Sequence, residues 1–267
     1  GDTIINVGTI KLTGSVNTAT DLIIASGATL DLQASQTFAS LDLDGTISNT
    51  AGTSTLTISG TSDLGGSITT SGTQDYEGAV TVTGNSTLTT TNAQITFDTT
   101  VNSETGETNN LTITASEVQF DGIVGGTRTL GAISITGSLD LNQAISNATS
   151  LSVSTTSNLG ANVTTTSTQT YTGAVTLSTD TTLATTNADV TFGSTVDGDG
   201  TARDLIINTG GTTGTIQFVN TVGANNNLDA ITITGNLNLD AAISNTTSLS
   251  VSGTSNLGAN VTTSSTQ

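Results

Sequence analysis

The sequence predicts an all-β fold, a right-handed parallel β-helix (β-solenoid) with coils of about 19–20 residues. Three observations point there. Long segments recur almost unchanged, short runs alternate apolar and polar residues, and the gaps between runs are filled with Gly, Asn, Asp, Ser and Thr.

The recurrence comes first, because self-similarity at a fixed period marks a repeat architecture. Residues 151–169 (LSVSTTSNLGANVTTTSTQ) return at 249–267, 98 residues on, changed only at Thr155/Gly253 and Thr166/Ser264. An earlier copy begins at Leu56, offset by 95 residues, and aligns Tyr76 with Tyr171 and Phe97 with Phe192. Further along, Phe120 aligns with Phe218 at an offset of 98, so three residues are gained within 102–117. Insertions settle in turns, and that stretch is expected to be a loop. The domain reading is one continuous solenoid: irregular N-terminal coils over 1–55, one repeat unit over 56–150, a second over 151–248 and the start of a third over 249–267. At this coil length each unit is expected to hold five coils.

The alternating runs supply the strands. Leu151-Ser152-Val153, Val175-Thr176-Leu177, Val190-Thr191-Phe192, Ile216-Gln217-Phe218 and Ile231-Thr232-Ile233 are typical. Period-2 alternation is the signature of a half-buried strand, and β-branched residues suit the pleat. It predicts that Val153, Val175, Phe192, Ile207, Phe218, Ile233 and Leu239 face inward. Ser152, Thr176, Thr191 and Thr232 should face outward. No stretch has the 3.6-residue periodicity and caps of a helix. Four of the five Phe residues sit in one frame, apolar-x-Phe-x-x-x-Val, at Phe97, Phe120, Phe192 and Phe218. Equivalent inward positions stacked coil on coil account for that frame. A chain of sandwich domains is the rival architecture, but sandwich cores need more bulk than a Trp-free chain with 3% aromatics supplies.

Composition restricts the chemistry. The chain has 21 acidic and three basic residues, a net charge of −18, and no His, Cys, Met, Trp or Pro. Without His or Cys there is no imidazole base, thiolate nucleophile or zinc site of the usual kind. Three scattered cations (Lys11, Arg128 and Arg203) cannot neutralise a run of phosphates, so no nucleic-acid partner is expected. No apolar run is long enough to insert into a membrane. Paired carboxylates alone can serve a glycosidase, yet near-copied units are a poor setting for one asymmetric site, and no catalytic residue is assigned. No cofactor is expected. The nearest thing to a metal motif is Asp197-Gly198-Asp199-Gly200 with Asp204, since calcium takes hard oxygen ligands on a tight turn. The loop lacks a closing Glu, and a solvated acidic turn is the favoured reading. Thr-x-Thr elements at Thr112/Thr114 and Thr232/Thr234 suggest a Thr-rich face, although solvent-facing Thr is also the ordinary way to keep a strand soluble.

The segments TQDYEGAVT (73–81), TQTYTGAVT (168–176) and TLATTNADVTF (182–192) resemble, in repeat texture, giant bacterial β-strand-repeat surface proteins of the filamentous-haemagglutinin adhesin type. The resemblance covers roughly 40–267 and implies a secreted, non-catalytic stalk. The expected location is extracellular, at a cell surface or in a biofilm matrix. The expected partners are further coils of the same chain or like subunits joined end to end, with a host or matrix glycan as a candidate ligand. The alternative is direct binding of glycan or ice by a Thr-rich face. Gln267 falls at the same phase as Gln169, where the earlier copy runs on into Thr170-Tyr171, so the chain is expected to continue.

Overall fold

The computed structural model describes residues 1–211 and 213–267, and among these every regular element is a β-strand. Among the described residues the strand pairings are parallel, and the strands stack as a β-solenoid. By contacts the chain divides into two compact units, Gly1–Gly137 and Ser138–Gln267, a division that falls inside the sequence repeat rather than at its edge.

In the first unit each coil has three sides. One side is a ladder of Thr3–Ile5, Asp21–Ile24, Ser40–Leu43, Ser62–Leu64, Val80–Val82 and Val101–Ser103. A second stacks Thr9–Leu12, Thr29–Leu32, Thr46–Ser48, Ser67–Thr70 and Ser86–Thr90 onto the first half of Leu111–Phe120. The third stacks Gln36–Phe38, Leu56–Ile58, Gln74–Tyr76 and Ile95–Phe97 onto its second half. The second unit repeats the plan. Leu139, Ser157, Val175, Val196, Val222, Ile243 and Val261 mark successive coils on its first side. Val163, Leu183, Ile207 and Ile233 belong to the second, and Leu151, Gln169, Val190, Ile216, Leu237 and Ser255 mark the third.

The average coil is close to the expected length, but single coils run from 17 residues (Thr29 to Thr46) to 26 (Val190 to Ile216). Most of the extra residues go into corners, and the sides keep parallel register apart from bulges between Ile145 and Ala148, Arg203 and Leu205, and Ile243 and Thr246. The three-residue gain within 102–117 follows this rule only in part. The loop proper is short, between Val101–Ser103 and Leu111–Phe120, and the rest of the stretch is strand. The expectation of five coils per unit is corrected. From Leu139 to its copy Leu237 the chain makes four full turns and two further sides, which is four and two-thirds turns.

The interior agrees with the alternation. Val153, Phe192, Ile207, Phe218 and Leu239 are fully buried and Val175 and Ile233 nearly so, while Ser152 and Thr232 are exposed and Thr176 and Thr191 are half-buried. Two aromatic stacks fill the middle. Tyr76, Phe97 and Phe120 lie ring on ring at 5.1 Å each, and Tyr171, Phe192 and Phe218 at 5.4 and 5.0 Å. Near-parallel stacking is enforced by the register, which sets equivalent side chains one above another. Coils also touch closely at corners. A Cβ on Gly173 would meet the Thr155 carbonyl, and on its counterpart Gly78 the Gly60 carbonyl, which explains the Gly of the GAVT motif.

Candidate functional site

The acidic motif at 197–204 is the first place to look for chemistry, and the structure disperses it. Asp197 is not a solvated turn residue. It lies 7% exposed at the end of a coil side, and its carboxylate accepts from the backbone N–H of Asn225 (2.9 Å) and Asn226 (3.3 Å) and from Asn225 Nδ2 (2.9 Å). It therefore ties one coil to the corner of the next. Asp199 faces solvent and pairs with Arg203, at 2.8 Å from Nη2 and 3.2 Å from Nε. The bond from the guanidinium, aided by the Thr201 N–H, lowers its carboxyl to about 2. Asp204 accepts from the Ala230 N–H at 2.9 Å, again a link between coils. The three carboxylates thus serve three different local partners. No group of three acidic side chains placed to hold a metal ion occurs among the described residues.

Other carboxylates form rows because the register stacks them. Asp42 sits beside Asp63 on adjacent coils. Partial desolvation first, then the charges of Asp44 and Asp63, raise the Asp42 carboxyl above its ordinary value. Asp75 is raised by desolvation and by Asp98 and Glu77. Asp31 moves the other way. The Thr50 hydroxyl (2.5 Å), the Thr50 N–H (2.9 Å) and Gln33 Nε2 (2.7 Å) all donate to it and, with Lys11 nearby, outweigh its burial to lower its carboxyl. These shifts arise from structural bonds and stacked charge.

The inward polar residues are the feature that alternation missed. Gln74 and Gln169 point into the interior and are fully buried. Gln169 Nε2 donates to the Ala184 carbonyl (2.9 Å), the Val163 carbonyl (3.2 Å) and Thr165 Oγ1 (3.3 Å), and its Oε1 accepts from the Tyr171 hydroxyl (3.1 Å). Gln74 does the same with the Thr89 carbonyl, Thr70 Oγ1 and Tyr76. Gln267, the copy of Gln169, donates to the Val261 carbonyl as Gln169 does to Val163. Burial away from water pushes both Tyr hydroxyls up, well out of their usual range. The TQ-x-Y signature is thus a buried polar plug where a coil turns a corner. A polar residue in an alternating run reads as outward-facing, and only the fixed spacing to Tyr marks this one.

One surface is regular. On the second side of the first unit, Ser67, Thr87 and Thr112 stand in register on successive coils, and beside them Thr69, Thr89 and Thr114 form a parallel row. Thr46 continues the first row below Ser67. Five of these six hydroxyl residues are exposed and Thr89 is half-buried. The corresponding side of the second unit is broken by Ala184 and by Ile206, which is 41% exposed. Thr232/Thr234 therefore belongs to no continuous hydroxyl ladder. Arg128 lies apart from both surfaces, bonded to Thr105 Oγ1 and the Thr127 carbonyl at the rim of a shallow groove. No protein-family model, curated protein or solved structure matches the chain.

Proposed function

We propose that the chain is a non-catalytic structural segment, a stretch of extracellular fibre or adhesin stalk on a bacterial surface or in a biofilm matrix. The observation that carries this reading is the coil-on-coil register. Each coil's apolar face is buried only by its neighbours, so coils add length without adding a new fold. Like subunits or further coils extend the stack, and a host or matrix glycan is the ligand class for a tip or side. The acidic surface keeps neighbouring stalks apart at low salt. Electron microscopy tests the reading. Each added coil should lengthen the particle by about 4.8 Å, and a globular particle whose width grows with added coils would refute it.

A second reading is favoured by the double hydroxyl row. Ser67, Thr87 and Thr112 with Thr69, Thr89 and Thr114 offer a flat grid of donors and acceptors at strand spacing, suited to an ordered hydroxylic surface such as a glycan fibre or ice. Thr87→Tyr with Thr112→Tyr should abolish adsorption to insoluble polysaccharide or ice if that grid binds. Unchanged adsorption would remove the grid from consideration.

A further inference from the structure

An aspartate side chain can react with the amide nitrogen of the residue that follows it, and glycine leaves that nitrogen least shielded because it has no Cβ. The chain holds four Asp-Gly pairs, Asp44-Gly45, Asp121-Gly122, Asp197-Gly198 and Asp199-Gly200. Three of them are locked. Gly45, Gly122 and Gly198 are buried. The Gly45 N–H donates to the Ile24 carbonyl (3.1 Å), and the Gly198 N–H to the Asn226 carbonyl (3.4 Å). A Cβ on Gly122 would run into the Thr99 backbone, so that peptide has no room to turn. The fourth pair is open. Gly200 is exposed with φ at +101°, and no atom lies within 4 Å of where its Cβ would be. The Asp199 side chain already folds forward along the chain, because its Oδ1 accepts from the Thr201 N–H at 3.0 Å. That fold carries the carboxyl carbon over the Gly200 nitrogen, which lies between the two residues in the chain.

We propose that Asp199-Gly200 is a self-modification site, a turn that converts to isoaspartate as the chain ages, and that Arg203 guards it. The Gly200 nitrogen bonds to Asp199 Cγ, and a carboxyl oxygen leaves as water, taking the amide proton and the carboxyl proton. A cyclic imide results. Water then adds at the main-chain carbonyl of Asp199, and the bond from that carbonyl to the Gly200 nitrogen breaks. The chain now runs through Cγ, longer by one methylene, and the former main-chain carbonyl is a free carboxylate. The water lost in the first step returns in the second, so mass is unchanged and no other reactant is consumed. Arg203 opposes the first step, since the oxygen leaves only from a protonated carboxyl. Its Nη2 (2.8 Å) and Nε (3.2 Å) hold both carboxylate oxygens and favour the ionised form. The product carboxylate is displaced from these donors. The ion pair and the Thr201 bond are then lost together, and the corner between Val196–Gly198 and Arg203–Asn208 loosens. None of this chemistry depends on the stalk reading.

The test ages the full folded chain at neutral pH, then unfolds it briefly for analysis. An isoaspartyl methyltransferase with labelled S-adenosylmethionine esterifies any new carboxylate, and an endoprotease that cuts before Asp but not before isoaspartate locates it. Label should accumulate at Asp199 ahead of Asp44, Asp121 and Asp197, with the cut before Asp199 lost and the cut before Asp197 kept. A chain aged in denaturant should label all four pairs, because nothing then locks the other three. A folded chain that labels another pair as fast as Asp199, or labels none while the unfolded chain labels, would overturn the site. The guard is tested by Arg203→Gln. The Asp199 carboxyl, held at about 2 by its donors, returns toward its ordinary value, so labelling there should rise at least about tenfold. Arg203→Lys should restore part of the protection. The rate at Asp44 should be the same in all these chains, which separates loss of the guard from loss of the fold. Equal labelling of Asp199 with and without the guanidinium would overturn the role of Arg203.

Discussion

Phe192→Ala is the sharpest probe of the interior. The ring is fully buried, with Tyr171 at 5.4 Å on one side and Phe218 at 5.0 Å on the other, both within 13° of parallel. Truncating a buried Phe costs about 3–5 kcal/mol through lost transfer energy and the cavity left behind. Each stacked pair adds about 0.5–1.5 kcal/mol beyond area, so losing two puts Phe192→Ala at roughly 4–8 kcal/mol. Phe38 supplies the comparison. It is equally buried but pairs with Ile58, and Phe38→Ala should stay near 3–5 kcal/mol. Stacked coils need not unfold in one step, and so a single melting temperature is the wrong readout. Native-state hydrogen exchange resolves the loss by coil. Protection should fall most at Gln169–Tyr171, Val190–Phe192 and Thr215–Phe218 and fade with distance from them. A loss below about 1 kcal/mol, typical of a surface site, or one spread evenly over the chain, would refute the stacking argument.

Three further perturbations test the polar interior and the surface charge. Gln169→Ala leaves the Ala184 carbonyl and the Tyr171 hydroxyl without their partner, and should cost at least about 2 kcal/mol in denaturant unfolding, more than Thr191→Ala on the outer face. Ser157→Ala should be neutral or stabilising by up to about 1 kcal/mol, since the buried Ser157 hydroxyl has no hydrogen-bond partner; a clear loss of stability would show that it has one in solution. Asp42→Asn should raise hydrogen-exchange protection of Ser40–Leu43 and Ser62–Leu64 at pH 7 and low salt. The folded state holds that carboxyl above its ordinary value, so the ionised form opposes folding at neutral pH, and the gain should vanish as pH falls below about 4. A gain that grew in acid would invert the sign of the argument.

The inward and outward assignments were legible because alternation and burial obey the same two-residue period. Phe97 and Phe192 could be placed from spacing alone, and the structure stacks them as the shared frame requires. The site was less legible. Asp197 looked like part of a solvent loop because sequence shows the acidic turn and not the backbone N–H groups of Asn225 and Asn226, which lie a coil away. Gln169 is hidden for a related reason: its hydrogen-bond partners at Val163 and Ala184 come from the preceding side of its own coil and from the next coil. The count of five coils failed on corner length. Coils of 18 and 26 residues share the same three sides, and no local pattern announces where a corner is long.

The mismatch between the 98-residue repeat and the coil bears on how such a chain grows by duplication. If only whole turns could be added, a duplicated stretch of gene would have to match a coil count or break the ladder at its junction. In the second unit the copy joins after a whole number of sides that is not a whole number of turns, and Ile243–Val251 still pairs in parallel on both flanks, with one bulge between Ile243 and Thr246 against Val261–Thr263. The three sides are interchangeable enough that the quantum of insertion is one side and its corner. A recombination event therefore has about three times as many acceptable lengths as a rule of whole coils would allow, and each accepted event turns the inherited surface to a new bearing.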